Sequence, residues 1–376
     1  MTVASATLNA REERRLLRGH LWAYRNEFKQ LPGVEDGALL DVFAENRRFV
    51  GRGFYQAEGG IAVRLLTGRQ EEIDAAFFAE RIARARALRE QLFPGQNVYR
   101  WVFGESDALP GFVADRYDAV VSIQSSCAFY RPWAEALAAL FLDNDGIEGV
   151  RMQLGGDVLI FGQVPERSEF LIEGLRCGFQ LEGAQKTGMF LDQRLNCLTV
   201  RPFARGARVL DGHCYAGLWS CHAALAGAES VFGVDTSSQA VAQARANAEL
   251  NGVADRCAFS CEEVEAALAR PDHYTVVILD PPAFAKSRAL KVKALARYHA
   301  LNTAALKALE PDGILITSSC SHFVAPEDCV EMLKQAASAA RRRVTLLELR
   351  GASPDHPVLL SMPETAYLKC AVLRVR

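Results

Sequence analysis

The stretch RVLDGHCYAGLWSCHAALAGAESVFGVD at residues 208–235 contains the pattern that decides the fold. Its apolar start predicts a buried strand that ends at Asp211, and a helix is expected to begin after Gly217. The last part, SVFGVD, predicts a second strand that ends in another acid, Asp235. A strand, a helix and a second strand in this order are typical of a parallel sheet in an α/β protein.

Three further strands are predicted downstream, and polar residues follow the apolar part of each. They are CAFSCEEV (257–264), VVILDPPAF (276–284) and ILITSSCSHF (314–323). Ligands of open α/β sheets bind at the carboxyl ends of the strands. The polar residues at these strand ends are therefore interpreted as one ligand site, although each of them alone also suits a turn or a helix cap.

The acids at the strand ends indicate what kind of ligand binds. The interval between Asp211 and Asp235 suits a carboxylate that accepts hydrogen bonds from the two ribose hydroxyls of an adenosyl group. Glu262 and Glu263 follow the next strand, where an acid suits the adenine amino group. A nicotinamide dinucleotide would need a G-x-G-x-x-G turn, which the first loop lacks. An adenosyl cofactor without a pyrophosphate fits better, and a Rossmann oxidoreductase stays an alternative.

The next two strand ends carry groups suited to chemistry on a planar ring. Asp280, Pro281 and Pro282 form a stiff loop whose acid or carbonyls suit ring nitrogens, and Phe284 suits stacking. Cys320 lies beyond an apolar strand and among hydroxyl groups. A polar, partly exposed thiol can supply a thiolate, so Cys320 is the candidate nucleophile. The other cysteines are interpreted as small core residues.

A thiolate and an acid beside a planar base suit methylation at carbon 5 of a pyrimidine. Carbon 5 is not nucleophilic by itself. Addition of the thiolate at carbon 6, assisted by a proton or a hydrogen bond at N3, makes carbon 5 able to take a methyl group from a sulfonium. Loss of the carbon 5 proton and elimination of the thiolate complete the reaction.

The residues before the α/β pattern predict two smaller units. Arg11–Arg18 is expected to form a short helix with Leu16 and Leu17 inward, followed by a small β-barrel. The strands of this barrel are expected at residues 37–44, 48–55 and 62–67. A helix at 74–93 then opens a strand–strand–helix–strand–strand unit. Its other elements are two strands around a turn at Asp107–Gly111, a helix at 131–142 and strands near 150–154 and 158–164.

The composition of the chain excludes several classes of protein. Half of the 376 residues are apolar and 23% are charged, which excludes a disordered chain. No apolar run is long enough to span a membrane, and the N-terminus lacks the apolar segment of a secretory signal. We therefore expect a cytoplasmic protein with reduced thiols and no metal site, because no CxxC occurs. The net charge of −2 does not forbid RNA, since phosphate binding needs only a local basic stripe.

Several motifs occur in order along the whole chain. They are LLRGHLWAYRNEF (16–28), GRGFY (51–55), IAVRLLT (61–67), ESDALPGFVADRY (105–117), QKTGMFLDQRLN (185–196), LDPPAFAKSR (279–288), SSCSHF (318–323) and DHPVLLSMPETAYLK (355–369). Together they resemble the RlmI-type 23S rRNA (cytosine-C5)-methyltransferases, a family of class I S-adenosylmethionine (SAM)-dependent methyltransferases. The resemblance implies an N-terminal PUA-like RNA-binding barrel, a central α+β domain and a Rossmann-like methyltransferase domain. We expect these domains at residues 1–70, 71–184 and 185–376.

The resemblance also implies roles for particular residues. Asp280 would face the target cytosine, and Cys320 would be the nucleophile, because relatives with two cysteines carry the second one where this chain has Pro281 and Pro282. The implied SAM contacts are Gln185, Lys186, Phe190, Asp192, Asp211, Tyr215, Gly217, Asp235, Glu262 and Glu263. The candidate phosphate contacts, each of which also suits a solvated surface, are Arg14, Arg15, Arg18, Arg47 and Arg48.

The sequence thus predicts a SAM-dependent methyltransferase that modifies carbon 5 of a cytosine in ribosomal RNA. Two alternatives stay open. One is an RNA N-methyltransferase without covalent attack, which leaves Cys320 unexplained. The other is a non-catalytic factor that binds ribosomal RNA or assists assembly. The expected partner is ribosomal RNA, with no membrane, and whether the chain forms a homodimer is left open.

Overall fold

The computed structural model describes residues 3–180, 188–271, 273–285 and 287–376. The chain divides into two compact units. The first contains the described residues within 1–166, 180–188 and 354–365, and the second those within 167–179, 189–353 and 366–376. The domain boundaries expected after residues 70 and 184 stay predictions.

A six-stranded mixed sheet forms the N-terminal part of the first unit. Its strands are β1 (Ala4–Leu8), β2 (Trp22–Tyr24), β3 (Phe28–Gln30), β4 (Leu39–Phe43), β5 (Phe49–Tyr55) and β6 (Ile61–Thr67), in the order β2-β6-β5-β4-β1-β3. The three strands that the sequence predicts are therefore present as β4, β5 and β6. Leu8, Leu40, Val42 and Val63 are fully buried and form part of the core of this sheet.

The predicted N-terminal helix is present but shorter, as α1 (Glu13–Leu17). Leu16 is buried, as expected, but the expectation for Leu17 is wrong because that side chain is 41% exposed. Consecutive residues on a helix point about 100° apart, and in α1 only the Leu16 side chain points into the core.

The rest of the first unit is a helix-covered sheet. The elements are α2 (Ala75–Leu92), β7 (Val98–Phe103), β8 (Phe112–Tyr117), β9 (Val120–Ser125), α3 (Ala134–Leu142), β10 (Gly149–Leu154) and β11 (Asp157–Gly162). The five strands follow the order β11-β10-β9-β8-β7. The helix α2 begins at Asp74, whose side chain accepts a hydrogen bond from the backbone N–H of Phe77 at 2.9 Å.

The number of strands before α3 differs from the prediction. The sequence indicates two strands around the turn at Asp107–Gly111, whereas the structure has three, because the second predicted strand is divided into β8 and β9, which form a hairpin. Asp118 occupies the left-handed region in the turn between them, with φ 55°. Aspartate tolerates this conformation better than most residues, but without glycine or proline the turn is not evident from sequence.

The second unit is built on a seven-stranded sheet. Its elements are β12 (Arg167–Ile172), β13 (Leu175–Gln180), α4 (Arg201–Ala204), β14 (Arg208–Gly212), α5 (Leu218–Leu225), β15 (Ser230–Asp235), α6 (Ser238–Leu250), β16 (Cys257–Cys261), α7 (Val264–Leu268), β17 (Tyr274–Leu279), α8 (Lys291–Ala308), β18 (Leu309–Ser319), α9 (Pro326–Ala340), β19 (Val344–Arg350) and β20 (Lys369–Val375). The order in the sheet is β16-β15-β14-β17-β18-β20-β19, and β12 and β13 form a separate hairpin.

Parallel pairing places the functional strand ends at one edge of this sheet. The strands β16, β15, β14, β17 and β18 are parallel, and β20 is antiparallel to β18. Leu210, Val277 and Leu315 are fully buried in these central strands. The carboxyl ends of the five parallel strands therefore share one edge, as the sequence predicts.

No helix within the described ranges is long and apolar enough to cross a membrane.

Candidate active site

Asp211, at the end of β14, is a fully buried acid. Its Oδ2 accepts hydrogen bonds from the backbone N–H and the hydroxyl of Ser220, at 3.1 and 2.6 Å. Its Oδ1 is buried and has no hydrogen-bond partner among the described residues. Burial raises the pKa of Asp211 to about 7, since the charged carboxylate loses its hydration. A cationic group that met Oδ1 would favour the charged form.

The loop after β14 has a strained backbone. His213 and Tyr215 adopt left-handed conformations with φ 63° and 46°, and Gly217 has φ 75°. A Cβ atom at Gly217 would lie 2.9 Å from the Cβ of Ala244, so glycine is needed both for the conformation and for the packing of α5. Strain of this kind is concentrated at functional sites, where the surroundings hold the backbone in place.

Asp235, at the end of β15, forms hydrogen bonds that hold the loop after β14 in place. Its Oδ2 accepts a hydrogen bond from the backbone N–H of Tyr215 at 3.1 Å. Its Oδ1 accepts one from the backbone N–H of Ser237 at 2.9 Å. Each carboxylate oxygen has a further lone pair, so the half-buried side chain can still accept hydrogen bonds from a ligand.

The segment before the sheet adds an aromatic ring and another buried acid. The rings of Phe190 and Tyr215 meet edge to face, with centroids 5.0 Å apart. Asp192 is buried, and its Oδ2 accepts a hydrogen bond from the hydroxyl of Tyr367 at 2.6 Å. Its Oδ1 has no hydrogen-bond partner within the described part of the chain. Gln185 and Lys186, which are also expected to contact the cofactor, lie outside the described residues.

These features fit a positively charged adenosyl ligand. A cleft in this region is lined by residues that include Phe190, Gln193, Tyr215, Trp219 and Asp280. Asp192 Oδ1 and Asp211 Oδ1, which have no hydrogen-bond partner among the described residues, can only accept hydrogen bonds when the carboxyl groups are ionised. SAM carries both an ammonium and a sulfonium group, and these charges would be attracted to the two carboxylates.

Glu262 and Glu263, at the end of β16, are placed differently. Both carboxylate oxygens of Glu262 accept hydrogen bonds from Arg270 at 2.8 Å, and the Arg270 guanidinium lies over the ring of Phe232. Glu263 is exposed and precedes α7. A contact of either acid with adenine stays a prediction.

Asp280, directly after β17, is held by a residue to which sequence reasoning gave no role. Gln193 Nε2 donates hydrogen bonds to Asp280 Oδ1 at 2.8 Å and to the hydroxyl of Ser318 at 3.0 Å. The amide oxygen of Gln193 accepts a hydrogen bond from Asn196 at 2.7 Å, which fixes its orientation. Gln193 stands within the quoted motif QKTGMFLDQRLN, but nothing in its spacing indicates that it reaches β17 and β18.

The acidity of Asp280 is tuned by its surroundings. Burial of the carboxyl group raises the pKa of Asp280 to about 7, and the charge of Asp192 acts in the same direction. The hydrogen bond from Gln193 opposes this shift, as does the interaction with Trp219. An acid with this pKa can hold or release a proton near neutral pH.

Cys320 follows β18 and lies beside the Asp280 loop. Its Sγ is 3.9 Å from the carbonyl oxygen of Pro281, and the residue is half-buried. The next residue, Ser321, connects the same two loops, because its hydroxyl accepts a hydrogen bond from the backbone N–H of Ala285 at 3.1 Å. The structure thus brings together the two strand ends on which the sequence places the chemistry.

The other residues of the proline loop have different surroundings. Pro281 is buried and Pro282 is exposed. Phe284 packs on Tyr298, with ring centroids 4.6 Å apart, and the guanidinium of Arg297 lies 4.1 Å from its ring centroid. Stacking of Phe284 on a base stays a prediction, and Arg297 is a neighbour that sequence reasoning missed.

The candidate phosphate contacts in the first unit fall into two groups. Arg15 is engaged within the protein, because it forms an ion pair with Glu27 at 2.7 Å and lies over the ring of Tyr24. The others are exposed, and Arg14 and Arg18 line a shallow cavity, of which Arg15 also forms part. The exposed candidates are Arg14, Arg18, Arg47 and Arg48.

Comparisons with known proteins agree with this architecture. The profile of the PUA-like domain family matches residues 6–68, and that of the S-adenosylmethionine-dependent methyltransferases matches residues 158–362. The chain is 35% identical to the ribosomal RNA large subunit methyltransferase I of Shewanella denitrificans, over 96% of this chain and 97% of that protein. It is 33% identical to the protein of the same name from Tolumonas auensis, with the same coverage. The chain belongs to the ribosomal RNA large subunit methyltransferase I family.

Solved structures show the same fold. A candidate SAM-dependent methyltransferase from Streptococcus mutans superposes with a TM-score of 0.87 at 20% identity, over 99% of this chain and 100% of that one. A candidate methyltransferase crystallised with SAH superposes with a TM-score of 0.89 at the same identity and coverage. The predicted family, the class I methyltransferase fold with a PUA-like N-terminal domain, and the cofactor SAM are therefore confirmed.

Asp235 offers a test of the cofactor site in this family member. Asp235→Asn keeps an acceptor for only one of the two backbone N–H groups and removes the charge, and we expect SAM affinity to fall by about 10-fold or more, since charge-assisted hydrogen bonds contribute roughly 1.5–3 kcal/mol. Isothermal titration calorimetry measures this. Asp255→Asn, at an exposed acid, is the control. Unchanged affinity in Asp235→Asn would show that this acid does not bind the ribose.

Proposed function

We propose that this protein methylates carbon 5 of a cytosine in large-subunit ribosomal RNA, through a covalent adduct between Cys320 and the base. The ribosomal substrate is suggested by the relatives, which are named as ribosomal RNA large subunit methyltransferases. A PUA-like domain at residues 6–68 is consistent with an RNA substrate. A ribosomal RNA substrate would also agree with the cytoplasmic location expected from the sequence.

One observation carries the proposal. A thiol and a carboxyl group follow neighbouring parallel strands, and the Cys320 thiol lies 3.9 Å from the carbonyl of Pro281, the residue directly after Asp280. A direct methyl transfer to an exocyclic amine would need an acid and carbonyls at this loop, but no nucleophile. The adjacent thiol therefore favours the covalent route.

The residues would act in the following order. The Cys320 thiolate attacks carbon 6 of the cytosine, and Asp280, in its protonated form, donates a proton or a hydrogen bond to N3. Carbon 5 thereby gains enamine character and becomes nucleophilic. Bound SAM supplies an electrophilic methyl group. The carbon 5 proton then leaves to solvent, N3 returns its proton to Asp280, and the carbon 6–sulfur bond breaks, which regenerates the Cys320 thiolate.

Gln193 would orient the acid during this sequence. Because its amide N–H groups bind both Asp280 Oδ1 and Ser318 Oγ, it fixes the carboxyl group relative to the strand that precedes Cys320. The raised pKa of Asp280 would keep a fraction of the acid protonated at neutral pH. An ordinary aspartic acid, with a pKa near 4, would not hold that proton.

The nucleophile can be tested by trapping. RNA that contains 5-fluorocytosine should form a stable adduct with the parent protein, because fluorine at carbon 5 cannot leave as a proton. Cys320→Ala should abolish both the adduct and turnover while binding SAM normally. Denaturing gel electrophoresis detects the adduct, and mass spectrometry of the RNA detects the methyl group.

Cys257→Ala is the matched control for trapping, because Cys257 is also half-buried but lies at the start of β16. We expect this variant to trap RNA like the parent. If Cys320→Ala still methylates cytosine or still traps the fluorinated RNA, the covalent route is wrong and direct transfer to nitrogen becomes the better explanation.

The pH dependence of the reaction tests Asp280. Its useful form is the protonated one, so kcat should fall as pH rises through about 7, where the carboxyl group loses its proton. Asp280→Asn cannot supply a proton, and kcat should be lower by about 10²–10⁴-fold without that descending limb. Asp255→Asn should keep the parent profile. A descending limb that persists in Asp280→Asn would assign it to another group.

The exposed arginines of the PUA-like domain can be tested through salt dependence. Each phosphate that is neutralised contributes about 0.7–0.9 to the slope of log K against log salt, so Arg14→Ala with Arg18→Ala should lower the slope by about 1.4–1.8. Arg15→Ala should change it less, because Arg15 is already paired with Glu27. Filter binding over a salt series measures this, and a parent-like slope in the double variant would exclude these contacts.

A further inference from the structure

A buried lysine lies beside the candidate nucleophile and has no role in the steps above. Lys369 is the first residue of β20 and pairs with Ser319, the last residue of the antiparallel strand β18. Cys320 follows directly. The Lys369 side chain is almost fully buried, which is unusual for lysine, since burying an ammonium group without compensation is costly.

The two hydrogen bonds of this lysine are made to neutral acceptors. Its Nζ donates to the carbonyl oxygens of Ser321 and Tyr367, each at 2.7 Å. The first of these bonds fixes the backbone directly after Cys320. Carbonyl groups orient the ammonium group but do not neutralise its charge.

Among the described residues, ionisable groups on several elements face Lys369. On α9, Asp328 lies near enough to interact, but its Oδ2 is 2.6 Å from the Nζ of Lys291, so that carboxylate already has a cation. Cys329, on the same helix, is buried, and burial raises the pKa of its thiol, which keeps it neutral. The third group is Cys320, which lies between Ser319, the strand partner of Lys369, and Ser321, whose carbonyl oxygen Lys369 binds.

Tyr298, on α8, lies near the backbone that follows Cys320. Its hydroxyl lies 3.0 Å from the hydroxyl of Ser321, and burial raises the pKa of Tyr298, so the phenol stays neutral. It therefore supplies no negative charge that would compete with a thiolate at Cys320.

The interaction between Lys369 and Cys320 is reciprocal. Burial lowers the pKa of Lys369 to about 8, and negative charge on Cys329, Cys320 or Asp328 acts in the opposite direction. If the thiolate favours the ammonium form of Lys369, the ammonium must favour the thiolate form of Cys320 by the same free energy.

We propose that Lys369 is the positioning residue of the nucleophile: its ammonium group stabilises the Cys320 thiolate before attack and again when the thiolate leaves the base. The thiol proton goes to bulk water, and Lys369 keeps its own proton throughout. The proposal rests on the proposed function, since it assigns a task to Lys369 only if Cys320 attacks the base.

Alkylation of Cys320 tests this without RNA or methyl transfer. Iodoacetamide reacts with thiolates, so the rate of Cys320 modification against pH, mapped by mass spectrometry, reports the midpoint of its ionisation. Lys369→Gln retains hydrogen-bond donors but has no charge, and Lys369→Met removes both. In each variant the midpoint should rise by about one pH unit or more, with about 10-fold slower modification at pH 7.

Lys369→Arg retains the charge and should restore most of the parent rate. The exposed Cys261 in the same molecule is the reference thiol, and its rate should be the same in all variants. A purely structural role of Lys369 would change thermal stability but leave the Cys320 midpoint where it is. A parent-like midpoint in Lys369→Gln or Lys369→Met overturns the proposal.

The parent protein provides a measurement that does not depend on the folding of any variant. Cys320 should ionise at a lower pH than Cys261, and an equal or higher midpoint would contradict the proposal. Failure of the proposed function is seen separately, as methylation that survives in Cys320→Ala. A normal trapping result with an unshifted alkylation midpoint would reject the role of Lys369 and leave the covalent route intact.

Discussion

The parallel pairing of β14, β17 and β18 is the constraint on which the site depends. Gly212 pairs with Leu279, and Leu279 pairs with Thr317, so the three strands end nearly level with one another. Parallel strands expose their carboxyl ends at a common edge, and residues far apart in sequence are thereby brought together there. The loop of Asp280 and the thiol of Cys320 come into contact for this reason.

Buried ionisable groups of both signs lie at this edge of the sheet. The buried acids Asp192 and Asp211 leave carboxylate oxygens without partners in the described structure, which suits a positively charged cofactor. The buried amine of Lys369 binds the backbone directly after Cys320. Asp280, with a pKa near neutrality, follows β17, which lies between β14 and β18 in the sheet.

Local pattern was sufficient to predict the candidate site in outline. The strand ends with their acids, the proline loop and Cys320 could be recognised because each follows an apolar run whose period and length indicate a strand. The expected burial of Leu17 was wrong, and the β8–β9 hairpin was predicted as a single strand. The α1 helix buries Leu16 and leaves the next residue, Leu17, exposed, and Asp118 occupies the turn between β8 and β9 without a glycine.

The sequence by itself determined the family, the cofactor class, the parallel sheet and the order of its functional loops, because these depend on residues close together in the chain. Only the tertiary structure decided which distant side chains meet. Gln193 reaches Asp280, Arg270 occupies the carboxylate of Glu262, and Lys369 lies beside Cys320. Such contacts depend on strand register and rotamers, which no local pattern encodes, and the pKa values follow from the burial that these contacts create.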